Sequence, residues 1–152
     1  MTNQSHTILV GLGNPLMSDD AVGWRVAEAV HRRLNDPAVG LRLASVAGIE
    51  LMELLVGYER AVVIDAIQTD GQVGELHHLN PTTLSWGELP DNAHRFGIFE
   101  GLELGRRLGF ELPTEVSVLG VEVADPYTFA EGLTPELAEK LPCIVEEVLR
   151  LL

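Results

Sequence analysis

Two acidic segments and one histidine, far apart along the chain, are the side chains of this sequence best suited to chemistry. Asp19 and Asp20 follow a glycine-containing stretch, Asp65 stands inside the apolar run AVVIDAI, and His94 precedes an amphipathic segment. A carboxylate in an apolar run is unfavourable unless it is hydrogen-bonded, paired or bound to a metal. Two carboxylates and an imidazole at one place would form an oxygen- and nitrogen-rich site of the kind that suits a transition metal.

The elements that must position these side chains alternate between strands and helices. Periodicity predicts strands at 6–13, 41–46, 61–67, 74–79 and 115–123, and helices at about 20–34, at 49–56, from near 94, and from 134 onward. This order predicts a single α/β domain over residues 1–152, a three-layer sandwich. It has a mainly parallel sheet of about five strands with helices on both faces. Pro142 lies inside the last helix, so a kink is expected there.

The carboxyl ends of parallel strands are where such folds gather ligands, at the point where the strand order reverses. The loop after the first strand, Asp65, and the loop that leads into His94 all fall at such ends. Each has a simpler interpretation as well. One of the two early aspartates can cap the helix that follows, Asp65 can accept a loop amide, and a histidine at a helix start can cap or pack.

The stretch VGLGNPLMSDDAVG begins like a loop that binds the phosphates of a nucleotide. The dinucleotide fingerprint needs a third glycine where this chain has Leu16, preceded by Pro15. The aspartates also occupy the helix start, where a pyrophosphate would need the positive end of the helix dipole. A tight strand-to-helix turn is therefore favoured over nucleotide binding, with Ser18 or Asp19 as the cap and one acid left to face the crevice.

The overall charge excludes several classes of partner. The chain has 152 residues and a formal net charge of −13, which repels nucleic acids and anionic membrane surfaces. No secretory signal and no membrane-spanning run is recognised, so a cytoplasmic protein is expected. The single Cys143 excludes an internal disulfide, and the adjacent His77 and His78 face opposite sides of a predicted strand. Core packing is favoured for Cys143 and a structural role for each of the two histidines. No nucleophile-elbow, HExxH or P-loop motif occurs.

Taken in order, these segments resemble one family, the hydrogenase maturation endopeptidases. GLGNPLMSDDAVG resembles its amino-terminal signature, and VVIDAI carries Asp65 where the family has its second acid. His94-Arg95-Phe96-Gly97 is similar to the family's histidine motif at a helix start, and Gly132-Leu133-Thr134-Pro135 to its turn into the last helix. The resemblance spans essentially the whole chain.

The resemblance implies an activity and a set of residues. Members of this family remove a carboxy-terminal extension from the large subunit of a nickel–iron hydrogenase after nickel has been inserted. The acid, acid and histidine that contact the metal correspond to Asp20, Asp65 and His94, which would be both the metal-contacting and the catalytic residues. Asp19 is expected to be the helix cap. The nickel would be supplied by the precursor, with no organic cofactor, and the enzyme would act as a monomer. Whether the metal hydrolyses the peptide or only gates recognition stays open.

Two other functions compete with this interpretation. VGLGNP also opens the peptidyl-tRNA hydrolases, but these continue differently, and a tRNA-binding enzyme should carry basic patches. A non-catalytic, metal-dependent maturation chaperone could hold the same site without hydrolysis. It would leave the mass of the precursor unchanged.

Overall fold

A computed structural model gives the architecture of residues 6–79 and 98–152. The strands are β1 (Thr7–Leu12), β2 (Val39–Ala44), β3 (Arg60–Ile67), β4 (Leu76–Leu79) and β5 (Glu115–Glu122). The helices are α1 (Val22–Leu34), α2 (Gly48–Leu55), α3 (Ile98–Arg107) and α4 (Pro135–Leu151), and a short 3-10 turn, Ser18–Ala21, precedes α1. The elements agree with the predicted ones to within a few residues, except that the predicted helix start near residue 94 lies outside the described residues.

The five strands form one sheet in the order β2-β1-β3-β5-β4. The first four of these are parallel to their neighbours, and β4 is antiparallel to β5. The chain crosses from β1 to β2 on one side, while β3 lies on the other side of β1. The strand order therefore reverses between β1 and β3, where ligands are expected in such folds. Gly11 is paired with Ile64, so Asp65 lies level with the end of β1.

Each face of the sheet carries its own apolar core. One face packs against α2 and α3, through residues that include Leu51, Met52 and Leu102. The other packs against α1 and α4, through residues that include Val26, Val30 and Ile144. The three-layer α/β sandwich predicted from the sequence is thus confirmed. Among the residues described, no helix is long and apolar enough to cross a membrane.

The beginnings of helices α1 and α4 can be compared with the predicted helix starts. Helix α1 begins at Val22, because Asp19 and Asp20 belong to the 3-10 turn that precedes it. Helix α4 has Thr134 at its N-cap and Pro135 at its first position, where proline is well tolerated, and it continues through Pro142 to Leu151.

Candidate active site

The loop after β1 is shaped by glycines that allow a close backbone approach. Gly13 has a φ of 141°, and a Cβ at this position would lie 2.0 Å from the carbonyl oxygen of Asp20. Gly23, at the start of α1, presses against both neighbouring strands, since a Cβ there would lie 2.3 Å from the Leu12 oxygen and 2.5 Å from the Ile64 oxygen. Side chains at these positions would force the helix off the sheet. The glycines thus bring the 3-10 turn with its aspartates down onto the carboxyl edge of the sheet.

Asp20 is held at this edge by one backbone contact. Its Oδ2 accepts a hydrogen bond of 2.8 Å from the amide of Asn14. The side chain is half-buried. Burial raises the pKa of Asp20, although the Asn14 amide opposes the shift. The carboxylate is therefore ordered by the turn but poorly solvated, and it retains lone pairs that no protein donor among the described residues satisfies.

Asp65 stands near the end of the central strand β3, opposite Gly120 of β5. Its Oδ1 accepts a hydrogen bond of 2.8 Å from the amide of Ala66, the next residue. Burial, opposed by the Ala66 amide and assisted by the negative charge of Asp20, raises the pKa of Asp65 to about 7. The two carboxylates are thus near enough to repel each other. Such a perturbed acid in a cleft is a candidate for function.

Two cavities meet at Asp20 and Asn14, and they differ in chemistry. One, the acidic cavity, measures about 480 Å³ and is lined by Leu12, Gly13, Asn14, Asp20, Ser45, Val46, Ala47, Glu50 and Asp65. The other, the apolar cavity, measures about 410 Å³ and is lined by Asn14, Met17, Asp20, Ala66, Ile67, Gln68, Val123, Pro126 and Tyr127. Among the described residues, neither lining includes a lysine or an arginine. The crevice therefore has one half suited to a cation and one suited to an apolar group.

The structure brings together two of the three residues predicted for the site. Asp20 and Asp65 share the acidic cavity. His94 lies outside the described residues. Within the described part of the chain, no three His, Cys, Asp or Glu side chains are grouped so that they could hold a metal. The two carboxylates alone supply oxygen ligands of the kind that a divalent cation accepts.

Asp19 has a different role from the one predicted. It is fully buried, and neither the 3-10 turn nor α1 has a side-chain cap, so the prediction that Asp19 caps the following helix is wrong. Its Oδ2 accepts the amides of Ala124 and Asp125, each at 3.0 Å, and its Oδ1 accepts the Thr134 amide at 2.7 Å. The Thr134 hydroxyl also donates to Oδ2, at 2.9 Å. Asp19 therefore joins the first loop to the loop after β5 and to the start of α4.

The loop after β5 was missed as part of the site. Asp125-Pro126-Tyr127 reads from the sequence as a turn, and the amides of Tyr127 and Thr128 do donate to Asp125 Oδ1. Pro126 and Tyr127 also line the apolar cavity. The sequence did carry a signal for this part of the site: Tyr127 and Phe129 lie close together in one loop, in a chain with few aromatic residues.

The other polar residues weighed from the sequence lie away from the crevice. His77 Nε2 is 3.3 Å from Oε1 of the buried Glu122, whereas the side chain of His78 is exposed on the opposite side of β4. Cys143 is exposed on α4, so its predicted role in core packing is wrong. In the described part of the chain, the candidate chemistry is confined to Asp20 and Asp65.

Comparison with known proteins identifies relatives along most of the chain. The family model described as hydrogenase maturation protease matches residues 24–151. The hydrogenase 2 maturation protease of Escherichia coli (strain K12) is 28% identical over 149 residues, which cover 93% of this chain and 87% of the relative. The hydrogenase expression/formation protein HupD of Thiocapsa roseopersicina is 25% identical, covering 100% of this chain and 70% of its own length.

Solved structures show the same fold. The hydrogenase maturating endopeptidase HybD from E. coli superposes with a TM-score of 0.73 at 24% identity, over 95% of this chain and 90% of that one. The [NiFe] hydrogenase maturation protease HybD from Thermococcus kodakarensis gives a TM-score of 0.69 at 25% identity, over 95% and 97% of the two chains.

Proposed function

Since the chain belongs to the hydrogenase maturation protease family, we propose that it cleaves the carboxy-terminal extension from the large-subunit precursor of a nickel–iron hydrogenase. Cleavage follows nickel insertion, and the enzyme recognises the inserted nickel through Asp20, Asp65 and His94. The metal arrives as part of the substrate. The enzyme needs no organic cofactor of its own.

The pair of carboxylates in the acidic cavity carries this proposal. Asp20 and Asp65 are near enough to repel each other, and no cationic side chain among the described residues forms an ion pair with either. Two poorly solvated acids held together without a counterion leave the folded protein less stable than neutral residues would. A divalent cation that enters the cavity would remove the repulsion. The site is thus suited to a cation that visits it with the substrate.

The three residues offer the bound metal two kinds of ligand. Asp20 and Asp65 offer carboxylate oxygens on one side of the crevice, and His94 offers an imidazole nitrogen from the sequence motif that precedes α3. These ligands fix the precursor by its nickel and place the neighbouring peptide bond over the crevice. Holding the bond in one orientation next to water lowers the barrier to hydrolysis.

We also propose that the enzyme acts in the cytoplasm and as a monomer. The acidic surface, with a formal net charge of −13, favours a precursor with a basic face over an acidic one.

The test is a cleavage assay with nickel-loaded and nickel-free large-subunit precursor, followed by intact-mass spectrometry. The wild-type protein should shorten the nickel-loaded precursor only. Asp20→Asn, Asp65→Asn and His94→Asn should each lose most of the activity, whereas Asp70→Asn, an exposed acid beyond the end of β3, should retain it. Equal cleavage of both precursor forms, or full activity in the Asp20 and Asp65 variants, would overturn the nickel role. A precursor that binds but keeps its mass would instead indicate a chaperone.

A further inference from the structure

Three large apolar side chains are exposed beside the apolar cavity. Leu16 is 44% exposed, Tyr127 is 71% exposed and Phe129 is 77% exposed. We call these three residues the apolar rim. Aromatic side chains that face water in this way are typical of surfaces that bind a partner, since their burial on binding is favourable and they lose little conformational freedom.

The backbone under the apolar rim is firmly held. The amide of Ala130 donates to the Leu16 oxygen at 3.0 Å, and the amide of Ser18 donates to the Ala130 oxygen at 2.9 Å. These bonds pair Met17 with Ala130 in parallel, so the preceding residues, Leu16 and Phe129, are neighbours on the two segments. The exposed rings are thus presented by an ordered, hydrogen-bonded loop pair.

The apolar rim is continuous with the candidate active site. Tyr127 belongs to the rim and also lines the apolar cavity, which Asp20 lines as well. A cavity of about 410 Å³ is large enough for a bulky apolar side chain. A polypeptide that crosses Asp20 would therefore enter this cavity and pass onto the rim.

The charge around the rim indicates what accompanies the apolar group. The segments 13–21 and 124–134 carry the solvent-accessible acids Asp20, Asp125 and Glu131 but no lysine or arginine. An acidic polypeptide would be repelled from this surface, whereas a basic one would be attracted.

We propose that the apolar rim and the apolar cavity bind the segment of the substrate polypeptide next to the peptide bond that is cleaved. This segment inserts a large apolar side chain into the cavity and carries at least one lysine or arginine beside it. The inference rests on the proposed function, because it assumes that the bond to be cleaved lies over Asp20.

Steady-state cleavage of nickel-loaded large-subunit precursor tests the rim. The double variant Tyr127→Ser/Phe129→Ser should raise KM roughly tenfold, because removal of two interface aromatics weakens binding by at least that factor, and leave kcat unchanged. The conservative Tyr127→Phe/Phe129→Leu should keep the wild-type KM. Leu104→Ser/Leu108→Ser removes two similarly exposed apolar side chains at the far end of α3 and should change neither constant. Unchanged urea midpoints would establish that all variants are folded.

A binding measurement separates the rim from the cleavage reaction. The wild-type protein, with and without the rim substitutions, is immobilised, and the initial association of nickel-loaded precursor is followed by biolayer interferometry. Loss of binding in the rim variant supports the proposal even if no precursor is ever cleaved, which would refute only the proposed function. Wild-type KM and wild-type binding in the rim variant would overturn it. So would a dimer of the wild-type protein that the rim substitutions dissociate, since the rim would then bind a second copy of this chain.

Discussion

Replacing Asp65 by asparagine should make the metal-free protein more stable at pH 8. The pKa of Asp65 rises from its ordinary value of 3.8 to about 7 in the folded chain, chiefly because burial removes water from the charged carboxylate. The folded state therefore binds this proton more tightly than the unfolded state does. Wild-type stability consequently falls as the pH rises through the window from about 4 to about 7.

The size of the effect follows from the same pKa. Each pH unit in this window is worth about 1.4 kcal/mol, so the loss reaches at most about 4 kcal/mol by pH 8. Because the Asp65 side chain is only partly buried, solvent still screens part of its charge, and the expected loss is about 2–3 kcal/mol. Asparagine carries no charge at any pH, and its side-chain oxygen can still accept the Ala66 amide. The variant should therefore match the wild type near pH 4 and exceed it at pH 8.

Urea denaturation of both proteins between pH 4 and pH 8, with chelator present, measures this difference. Asp20→Asn provides an internal check, because removing its charge should lower the pKa of Asp65 and flatten the wild-type slope. Asp70→Asn removes an exposed acid and should leave the slope unchanged. A constant stability difference between Asp65→Asn and the wild type over the whole pH range would refute the reasoning.

Other substitutions test the framework of the site in the same urea titration. Asp19→Asn should lower the free energy of unfolding by about 3 kcal/mol, because its amide group would face backbone donors, whereas Asp20→Asn should not lower it. Gly13→Ala should lower the free energy of unfolding by about 3 kcal/mol and abolish cleavage, since the added Cβ would clash with the Asp20 backbone. Its control is Gly57→Ala, which should cost only about 1 kcal/mol, because Gly57 also has a positive φ, 89°, but its added Cβ would meet no neighbouring atom. Glu122→Gln should cost about 2 kcal/mol, because an amide replaces an oxygen that accepts Thr69 donors, and an unchanged midpoint would contradict this.

The layers of this fold are readable from the sequence because each strand and helix carries its own periodicity. Apolar runs such as AVVIDAI mark strands buried on both faces, and the spacing of Val22, Val26 and Val30 marks one face of α1. The start of α1 was less predictable, since the 3-10 turn depends on how the Gly13 region packs against Asp20. The antiparallel direction of β4 likewise depends on its pairing with β5, which no local pattern reveals.

A site residue could be predicted where its side chain is chemically unusual for its surroundings, but not where its contacts join distant parts of the sequence. Asp65 stood out as a carboxylate in an apolar strand. Residue type and spacing alone could not separate the roles of Asp19 and Asp20, because the two adjacent acids differ only in the direction of their side chains, so the assignment of Asp20 to the metal came from the family resemblance. The partners of Asp19 lie 105 or more residues away, and no spacing rule connects them. Tyr127 was missed for the same reason, because the loop after β5 that carries it meets the loop after β1 only in the folded chain.

The contacts of Asp19 also determine how the crevice can open. Because one carboxylate receives the amides of Ala124, Asp125 and Thr134, detachment of α4 would break the same hydrogen bonds that fix the residue before Asp20. The first loop, the Tyr127 loop and the beginning of α4 therefore form one cooperative unit. Their amide protons should exchange with solvent together, at a rate close to that of global unfolding. This described part of the crevice is therefore already assembled before a ligand binds, so binding energy is not needed to order it.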